Sequence, residues 1–219
     1  MKNIRPQLHK KHSLCLYGYL KKSGNPDFFS SVKEITVSKN EFIYKPPLTE
    51  NYMYELVEGV VKLGGYSETG EENTYDVIYT GDYFGNLKYL NGQFFEFSKT
   101  LIDSRIRIYD LTFFKKAIIE NPVTSEWFIA YLLKRWCLAE KKLGQVNERS
   151  TLQKLEFLQG HYNINVTDIH GDEHILYDLL TQKDKGDLIG ATRQTIANAL
   201  KKKISSSSGL RFQDTECHF

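Results

Sequence analysis

The residues whose types and spacing most clearly imply chemistry lie in Thr181-Gln182-Lys183-Asp184-Lys185-Gly186-Asp187-Leu188-Ile189-Gly190-Ala191-Thr192-Arg193-Gln194-Thr195-Ile196-Ala197-Asn198-Ala199-Leu200-Lys201-Lys202-Lys203. Thr181 can N-cap a short helix, and Gly190 is the small residue that a tight turn at its end requires. Thr192 can then cap a second helix with Ile196, Ala199 and Leu200 as its apolar face. Two short helices around a glycine turn form a helix-turn-helix, whose second helix lays its N-terminal part in the DNA major groove. Gly186 leaves room for the second helix to cross the first closely. The stretch holds six basic groups against Asp184 and Asp187, a local +4 in a chain whose total is +2. Such groups neutralise phosphates, the main source of non-specific DNA affinity. Arg193 and Gln194 have side chains able to pair bidentately with guanine and adenine edges. The bland alternative is a solvated, lysine-rich helix end.

Other elements must position such a reader. From Val32 to about Arg107 the chain reads as short strands broken by turn residues: Glu34–Val37, Phe42–Tyr44, Tyr52–Leu56, Val60–Leu63, Asp76–Tyr79 and Arg105–Tyr109. The breaks are Ser38–Asn40, Lys45–Pro47, Glu58-Gly59, Thr69–Asn73 and Thr80–Asp82. Strands at this close spacing indicate an antiparallel barrel or sandwich. The period then changes. Asn121-Pro122 is a helix-start signal, with Asn as N-cap and Pro at the first helical position. Beyond it Ile129, Leu132, Trp136, Ala139, Leu143 and Val146 recur at steps of 3, 4, 3, 4 and 3, an a/d heptad seam weakened at its end by Gly144. The seam suits a symmetric dimer along the helix or packing on the chain's own core. A second helix is expected from about Ser150 to Gln159, with Leu152, Leu155 and Leu158 on one face, followed by a polar patch from His161 to Glu173. Ser205–Gly209 reads as flexible by composition.

Composition narrows the class. The chain has 219 residues, room for one large domain or two small ones, with 41% hydrophobic and 26% charged residues. That balance argues against wholesale disorder. Cys15, Cys137 and Cys217 are too few and too widely spaced for a disulfide framework or a C-x-x-C site, so a reducing, cytoplasmic setting is expected. No signal peptide and no membrane span is expected, hence no membrane partner. No Ser/His/Asp, paired-carboxylate or Walker-type arrangement stands out, which points away from an enzyme.

Three motifs in order give the chain a resemblance. Thr181-Gln182 through Arg193-Gln194-Thr195 resembles the L-T-Q…G-x-(S/T)-R-E-T pattern of the CRP/FNR family of bacterial transcription regulators. Tyr54-Glu55-Leu56-Val57-Glu58-Gly59-Val60-Val61-Lys62 is similar to that family's Y-x-(I/L)-x-x-G-x-V-K strand pair, and Gly81-Asp82-Tyr83-Phe84-Gly85-Asn86-Leu87 to its G-(D/E)-x-(F/I)-G-E-(L/M) cassette. The resemblance implies an α+β fold. An N-terminal antiparallel β-roll of the double-stranded β-helix or jelly-roll type, cyclic-nucleotide-binding-like, would span residues 1–120. A dimerisation helix would follow over 121–148, and a winged helix-turn-helix domain over 149–219. It implies double-stranded DNA and a second copy of the chain as partners, with RNA polymerase a further candidate. The DNA-contacting residues would be Thr181, Gln182, Thr192, Arg193, Gln194, Thr195, Asn198 and Lys201, and the dimer interface the heptad seam.

Departures from the family pattern matter as much. Arg193 matches the guanine-reading arginine, but Gln194 stands where a glutamate is usual and Asn198 where an arginine is frequent, so the usual operator does not carry over. Lys185 occupies a normally apolar position, where it could loosen the helix or snorkel. The wing is expected to be shortened or missing. In the effector cassette (Gly81, Asp82, Gly85, Asn86, Leu87), Asn86 replaces the glutamate that holds a ribose hydroxyl, and no arginine occurs from Gly85 to Ser104. Cyclic AMP is therefore not expected, because a buried phosphate needs a paired cation. Lys88 and Lys99 are the nearby cations. No cofactor is expected, and the effector is left unnamed. One N-terminal cysteine cannot supply the thiolates of an iron–sulfur cluster. His170 and His174 lie four apart in a loop-like segment, a weak metal pattern. The competing reading is a ligand-binding or protein-interaction β-roll module whose helix-turn-helix no longer reads DNA.

Overall fold

The computed structural model describes residues 14–47, 51–85, 96–148 and 150–209, leaving out the side chains of 145–148 and 203–209. Two short helices, α1 (Leu16–Lys22) and α2 (Phe28–Ser31), precede eight strands: β1 (Val32–Val37), β2 (Phe42–Tyr44), β3 (Tyr52–Glu58), β4 (Val60–Tyr66), β5 (Glu72–Tyr79), β6 (Tyr83–Phe84), β7 (Glu96–Thr100) and β8 (Ser104–Asp110). They form two four-stranded antiparallel sheets, ordered β1-β8-β3-β6 and β2-β7-β4-β5. Leu56, Phe84 and Ile106 of the first sheet meet Val61, Leu63 and Ile78 of the second in one buried cluster. Because strand side chains alternate between faces, the neighbouring residues line the outer faces. Met53, Tyr83 and Tyr109 pack outward against α1, α2 and α3 (Leu111–Ile119), while Val60 and Val77 of the second sheet pack outward in another direction.

The second half is helical. Helix α4 spans Pro122–Glu148 and starts where the Asn-Pro pair predicts, with the Val123 N–H donating to Asn121 Oδ1 at 2.9 Å. Gly144 does not end it. Helix α5 (Thr151–Tyr162) opens on a capping box between Ser150 and Gln153. A hairpin of β9 (Asn165–Thr167) and β10 (Glu173–Ile175) follows, then α6 (Leu176–Leu179), α7 (Gln182–Ile189) and α8 (Arg193–Gly209). These elements build their core on Leu155, Leu158, Tyr162, Leu176, Ile189 and Ile196. Val60, Val77, Leu101 and Ile102 of the strand region belong to that same core. The two halves are therefore packed on one another, with the outer face of β4–β5 as the seat.

Several sequence expectations need correction. The expected polar patch from His161 to Glu173 contains β9 and the first residue of β10. Its strands are three residues long with only Val166 buried in β9, too short to show a period. Ser205–Ser208 lie in α8 rather than in a flexible linker; serine is only a modest helix breaker, and neither Pro nor Gly intervenes before Gly209. The turn expected over Thr69–Asn73 is shorter, since β5 already begins at Glu72. Leu152 sits at 38% exposure while Leu155 and Leu158 are buried, so the α5 face is narrower than expected. Strands β6 and β7 had no sequence signal: one is two residues long, and Glu-Phe-Ser-Lys-Thr has a single large apolar residue. The wing expectation falls on residues 210–219, outside the described residues.

Candidate nucleic-acid interface and sensor cavity

The helix-turn-helix is assembled by local polar chemistry. Thr181 Oγ1 accepts from the Asp184 N–H at 3.1 Å, and the Asp184 carboxylate accepts from the Thr181 N–H at 3.1 Å, a reciprocal capping box. Gly190 ends α7 in the left-handed region with φ 67°, where a β-carbon would be strained. A β-carbon on Gly186 would lie 2.5 Å from the Ala191 carbonyl oxygen, so the turn closes only over glycine. Thr192 Oγ1 accepts from the Thr195 N–H at 3.1 Å and starts α8, and fully buried Ile196 anchors it. Lys185 neither protrudes nor disrupts: its ammonium lies 4.0 Å from the Tyr177 ring centroid, and burial holds its pKa below the ordinary lysine value.

This geometry sorts the candidate DNA contacts. Arg193, Gln194, Thr195, Asn198 and Lys201 are exposed on α8, and Thr181, Gln182 and Thr192 are exposed at the helix starts. Gln194 and Asn198, one turn apart, hydrogen-bond each other at 3.2 Å. The hydroxyls of Thr181, Thr192 and Thr195 are engaged in local caps. The two acidic residues of the segment are spent elsewhere. Asp184, 1% exposed, takes Lys62 Nζ at 2.9 Å and Thr74 Oγ1 at 2.8 Å from the strand region. Burial alone would raise its carboxyl pKa, but the bonds from Thr181, Lys62 and Thr74 hold it below the ordinary carboxylate value. Asp187 accepts from the Thr74 N–H at 3.0 Å and pairs with Lys183 at 3.2 Å. With both carboxylates tied up, neither competes for Arg193 at the exposed start of α8.

The strand region is shaped for this contact. Strand β5 is the edge of its sheet, and carries an extra residue, Tyr75, between the pairs Leu63↔Asp76 and Gly64↔Thr74. Such a bulge reverses the side-chain alternation, bringing Thr74 to the face of Lys62. Helix α7 thus covers an edge N–H that would otherwise stay open. Sequence inspection placed Lys62 in the strand-pair motif but did not foresee its contact with Asp184, nor single out Thr74 or the inward role of Asp184. An acidic residue three positions after a capping Thr was the available signal.

A cavity of about 640 Å³ lies between β5, α4, α5 and α7. Asp82 of the expected effector cassette lines it, half-exposed, with its pKa raised by burial. Gly81 turns with φ 91° and donates its N–H to the Leu56 carbonyl at 2.8 Å. Gly85 also has positive φ and lies against the Tyr54 ring, and Asn86, Leu87 and Lys88 are outside the described residues. Lys99 is committed to Glu72 at 3.5 Å and to the Phe42 ring face at 4.6 Å. The cavity's ionic centre is one that sequence reading missed: Asp76 Oδ2 accepts from Arg135 at 2.7 Å and Oδ1 from Lys142 at 2.6 Å. Lys142 also donates to the Tyr162 hydroxyl at 3.2 Å. Arg135 and Lys142 stand seven apart beside the heptad seam, which was the legible clue.

The seam itself is bare. Ile129, Leu132, Trp136 and Leu143 range from 49% to 63% exposed, Ala139 is also exposed, and Leu133 adds to the stripe. The Val146 side chain is outside the described set. The intramolecular alternative for these seam residues is thus corrected, since the chain's own core does not cover them. Among the described residues no three His, Cys, Asp or Glu side chains gather for a metal, Cys15 and Cys137 are free and exposed, and no helix is long and apolar enough to cross a membrane. His170 and His174 turn instead to Asp103 at 3.0 Å and Asp168 at 3.3 Å.

No protein-family model matches the chain. A CRP-like cAMP-activated global transcriptional regulator of Mycobacterium tuberculosis is 27% identical over 154 residues, which span 68% of this chain and 66% of that protein. A cyclic nucleotide-binding domain containing protein from Listeria monocytogenes superposes with TM-score 0.67 at 14% identity, over 87% of this chain and 89% of that one. A CRP/FNR family transcriptional regulator from Thermus thermophilus does so with TM-score 0.60 at 17% identity, over 80% and 87%. The chain is CRP/FNR-like in sequence and in fold. The CRP/FNR fold accounts for the order observed here: double sheet, long helix, then the α7–α8 pair. Among the described residues, the α4 seam, the α8 surface and the cavity beside Asp76 are candidate sites.

Proposed function

We propose that the chain is a homodimeric, sequence-specific DNA-binding transcription regulator of the cytoplasm, a binding protein and not an enzyme. The observation that carries this reading is the exposed start of α8, where Arg193, Gln194 and Asn198 face outward while the neighbouring carboxylates are turned onto the strand region. Arg193 is the residue assigned to a guanine edge, and the Gln194–Asn198 pair to an adenine or mixed step. The bare α4 seam supports pairing of two copies, since each buried Leu, Ile or Trp side chain contributes about 1.5–3 kcal/mol. Two copies related by a twofold axis would place their α8 helices on half-sites about 34 Å apart, one helical turn of DNA. The cavity beside α4 is assigned to the sensor, with its ligand unnamed.

The test is selection of bound sites from random duplex DNA with the purified full chain, followed by titration of the selected site. A palindromic consensus is expected, with affinity well above that for random duplex. Arg193→Ala should weaken the selected site about 5- to 150-fold, the equivalent of about 1–3 kcal/mol, while leaving random duplex nearly unchanged. The mutual hydrogen bond of Gln194 and Asn198 favours a second reading, in which those side chains satisfy each other and the helix no longer reads bases. Equal binding to selected and random DNA at low and moderate salt would establish that second reading and remove the first.

A further inference from the structure

The cavity beside α4 carries both signs of charge, and their pairing is specific. Among the described residues, three carboxylates (Asp76, Asp82, Asp187) and three cations (Lys134, Arg135, Lys142) line it. The two cations set deepest, Arg135 and Lys142, are each committed to one oxygen of the same carboxylate, that of Asp76, at 2.7 and 2.6 Å. Asp82 lies near Arg135, without a hydrogen bond to it, and near the exposed Lys134. Asp187 is held by Lys183 and the Thr74 N–H. A phosphate or carboxylate ligand needs charge-assisted donors on two sides. Here those donors already face an anion that the chain supplies, and displacing it would leave a half-buried carboxylate without its cations. Being part of the chain, that carboxylate competes at a high effective concentration.

We infer that Asp76 is a built-in counter-anion that sets the ligand class of the sensor cavity, occupying the position between Arg135 and Lys142 where an anionic ligand would bind and so excluding anions from it. The inference rests on assigning this cavity to the sensor. It also gives the carboxylate a mechanical role. Asp76 on β5 holds α4 through Arg135 and Lys142, and Lys142 continues to Tyr162 of α5, so strand region, long helix and reader are joined without a bound anion. The absence of arginine from Gly85 to Ser104 agrees with this, because that stretch supplies no guanidinium to replace the committed Arg135.

The experiment is calorimetric titration and thermal-shift measurement on the full-length protein with inorganic phosphate and with cyclic AMP, at constant ionic strength. The unmodified protein is expected to show no saturable binding and no shift from either probe into the millimolar range. Asp76→Ala should gain saturable binding of at least one probe, tightened at least tenfold over the unmodified protein, and Asp76→Ala/Arg135→Ala should lose that gain. Should Asp76→Ala fail to fold, Asp76→Asn keeps the side-chain volume and is expected to gain binding in the same direction. Saturable binding by the unmodified protein that Arg135→Ala abolishes overturns the inference, as does a folded Asp76 variant that gains nothing. None of these readouts uses DNA. A protein that reads no operator yet shows the Asp76-dependent gain would remove the regulator reading and leave this one standing.

Discussion

The contact between Lys62 and Asp184 couples the strand region to the helix-turn-helix, and a double-mutant cycle measures it. Asp184 is 1% exposed and takes four donor atoms: Lys62 Nζ at 2.9 Å, Thr74 Oγ1 at 2.8 Å, the Thr181 N–H at 3.1 Å and Thr181 Oγ1 at 2.6 Å. Removing one partner of a fully buried pair costs about 3–5 kcal/mol. Here Lys62 is 14% exposed and three neutral donors stay on the carboxylate, so Lys62→Met is expected to cost about 2 kcal/mol. Asp184→Asn keeps the shape and loses the charge. It leaves Lys62 with Glu72 at 3.8 Å, and a cost of about 2 kcal/mol is expected again. The double variant should cost less than the two combined, giving a coupling energy of about 1–2 kcal/mol. For a chain of this size each kcal/mol moves Tm by about 2–4 °C, so each single variant should melt about 4–8 °C lower. Urea unfolding followed by the fluorescence of Trp127 and Trp136 gives the free energies directly. Costs that add within about 0.3 kcal/mol would refute the coupling and with it the idea that this pair joins the two halves.

Other outcomes are equally specific. Asp184 and Asp76 both have folded-state pKa values below the ordinary 3.8: burial opposes this, but Thr181 and Lys62 for the first and Lys142 and Arg135 for the second outweigh it. Their contribution to stability is therefore complete above the ordinary value and lost as pH falls through the lower folded values. Acid titration by circular dichroism should show a shallower loss for Asp184→Asn than for the unmodified chain. Gly186→Ala, with its β-carbon 2.5 Å from the Ala191 carbonyl oxygen, should cost about 1–3 kcal/mol and abolish specific DNA binding, whereas Gly144→Ala, with open space around it, should be neutral or slightly stabilising in thermal melts. Trp136→Glu on the α4 seam should convert a sedimenting dimer to a monomer without unfolding it. Lys201→Ala should lower the slope of log K against log salt by about one per bound chain and leave the selected sequence unchanged.

What could be read from residue order was the local chemistry. The Thr181 cap, the Gly190 turn, the Thr192 cap and the Ile196 anchor are decided within a few residues of chain, and each is found where the spacing places it. The longer expected strands were legible because turn residues bracket short runs rich in apolar and β-branched side chains. Strands β6, β7 and β9 were not, being too short or too polar to show a period. Lys185 illustrates the limit: its type argued for disruption or snorkelling, and only the position of Tyr177 resolves it as a cation over a ring.

The sequence by itself determined that two helices meet at a glycine turn, that a basic face begins at Arg193, and that a long helix carries an apolar seam, though α8 is longer than expected. These follow from helical periodicity and from capping, both of them short-range. Tertiary structure alone decided where the charges go. Asp184 meets Lys62 across 122 positions of chain, and Asp76 meets Lys142 across 66, because a bulged edge strand and two helices converge there. Read along the chain, the segment from Thr181 to Lys203 is a basic stretch diluted by two acids. Folded, those acids are turned onto the strand region and away from Arg193 at the start of α8. Ion pairing across such distances depends on which surfaces the apolar core brings together, and no local pattern encodes that.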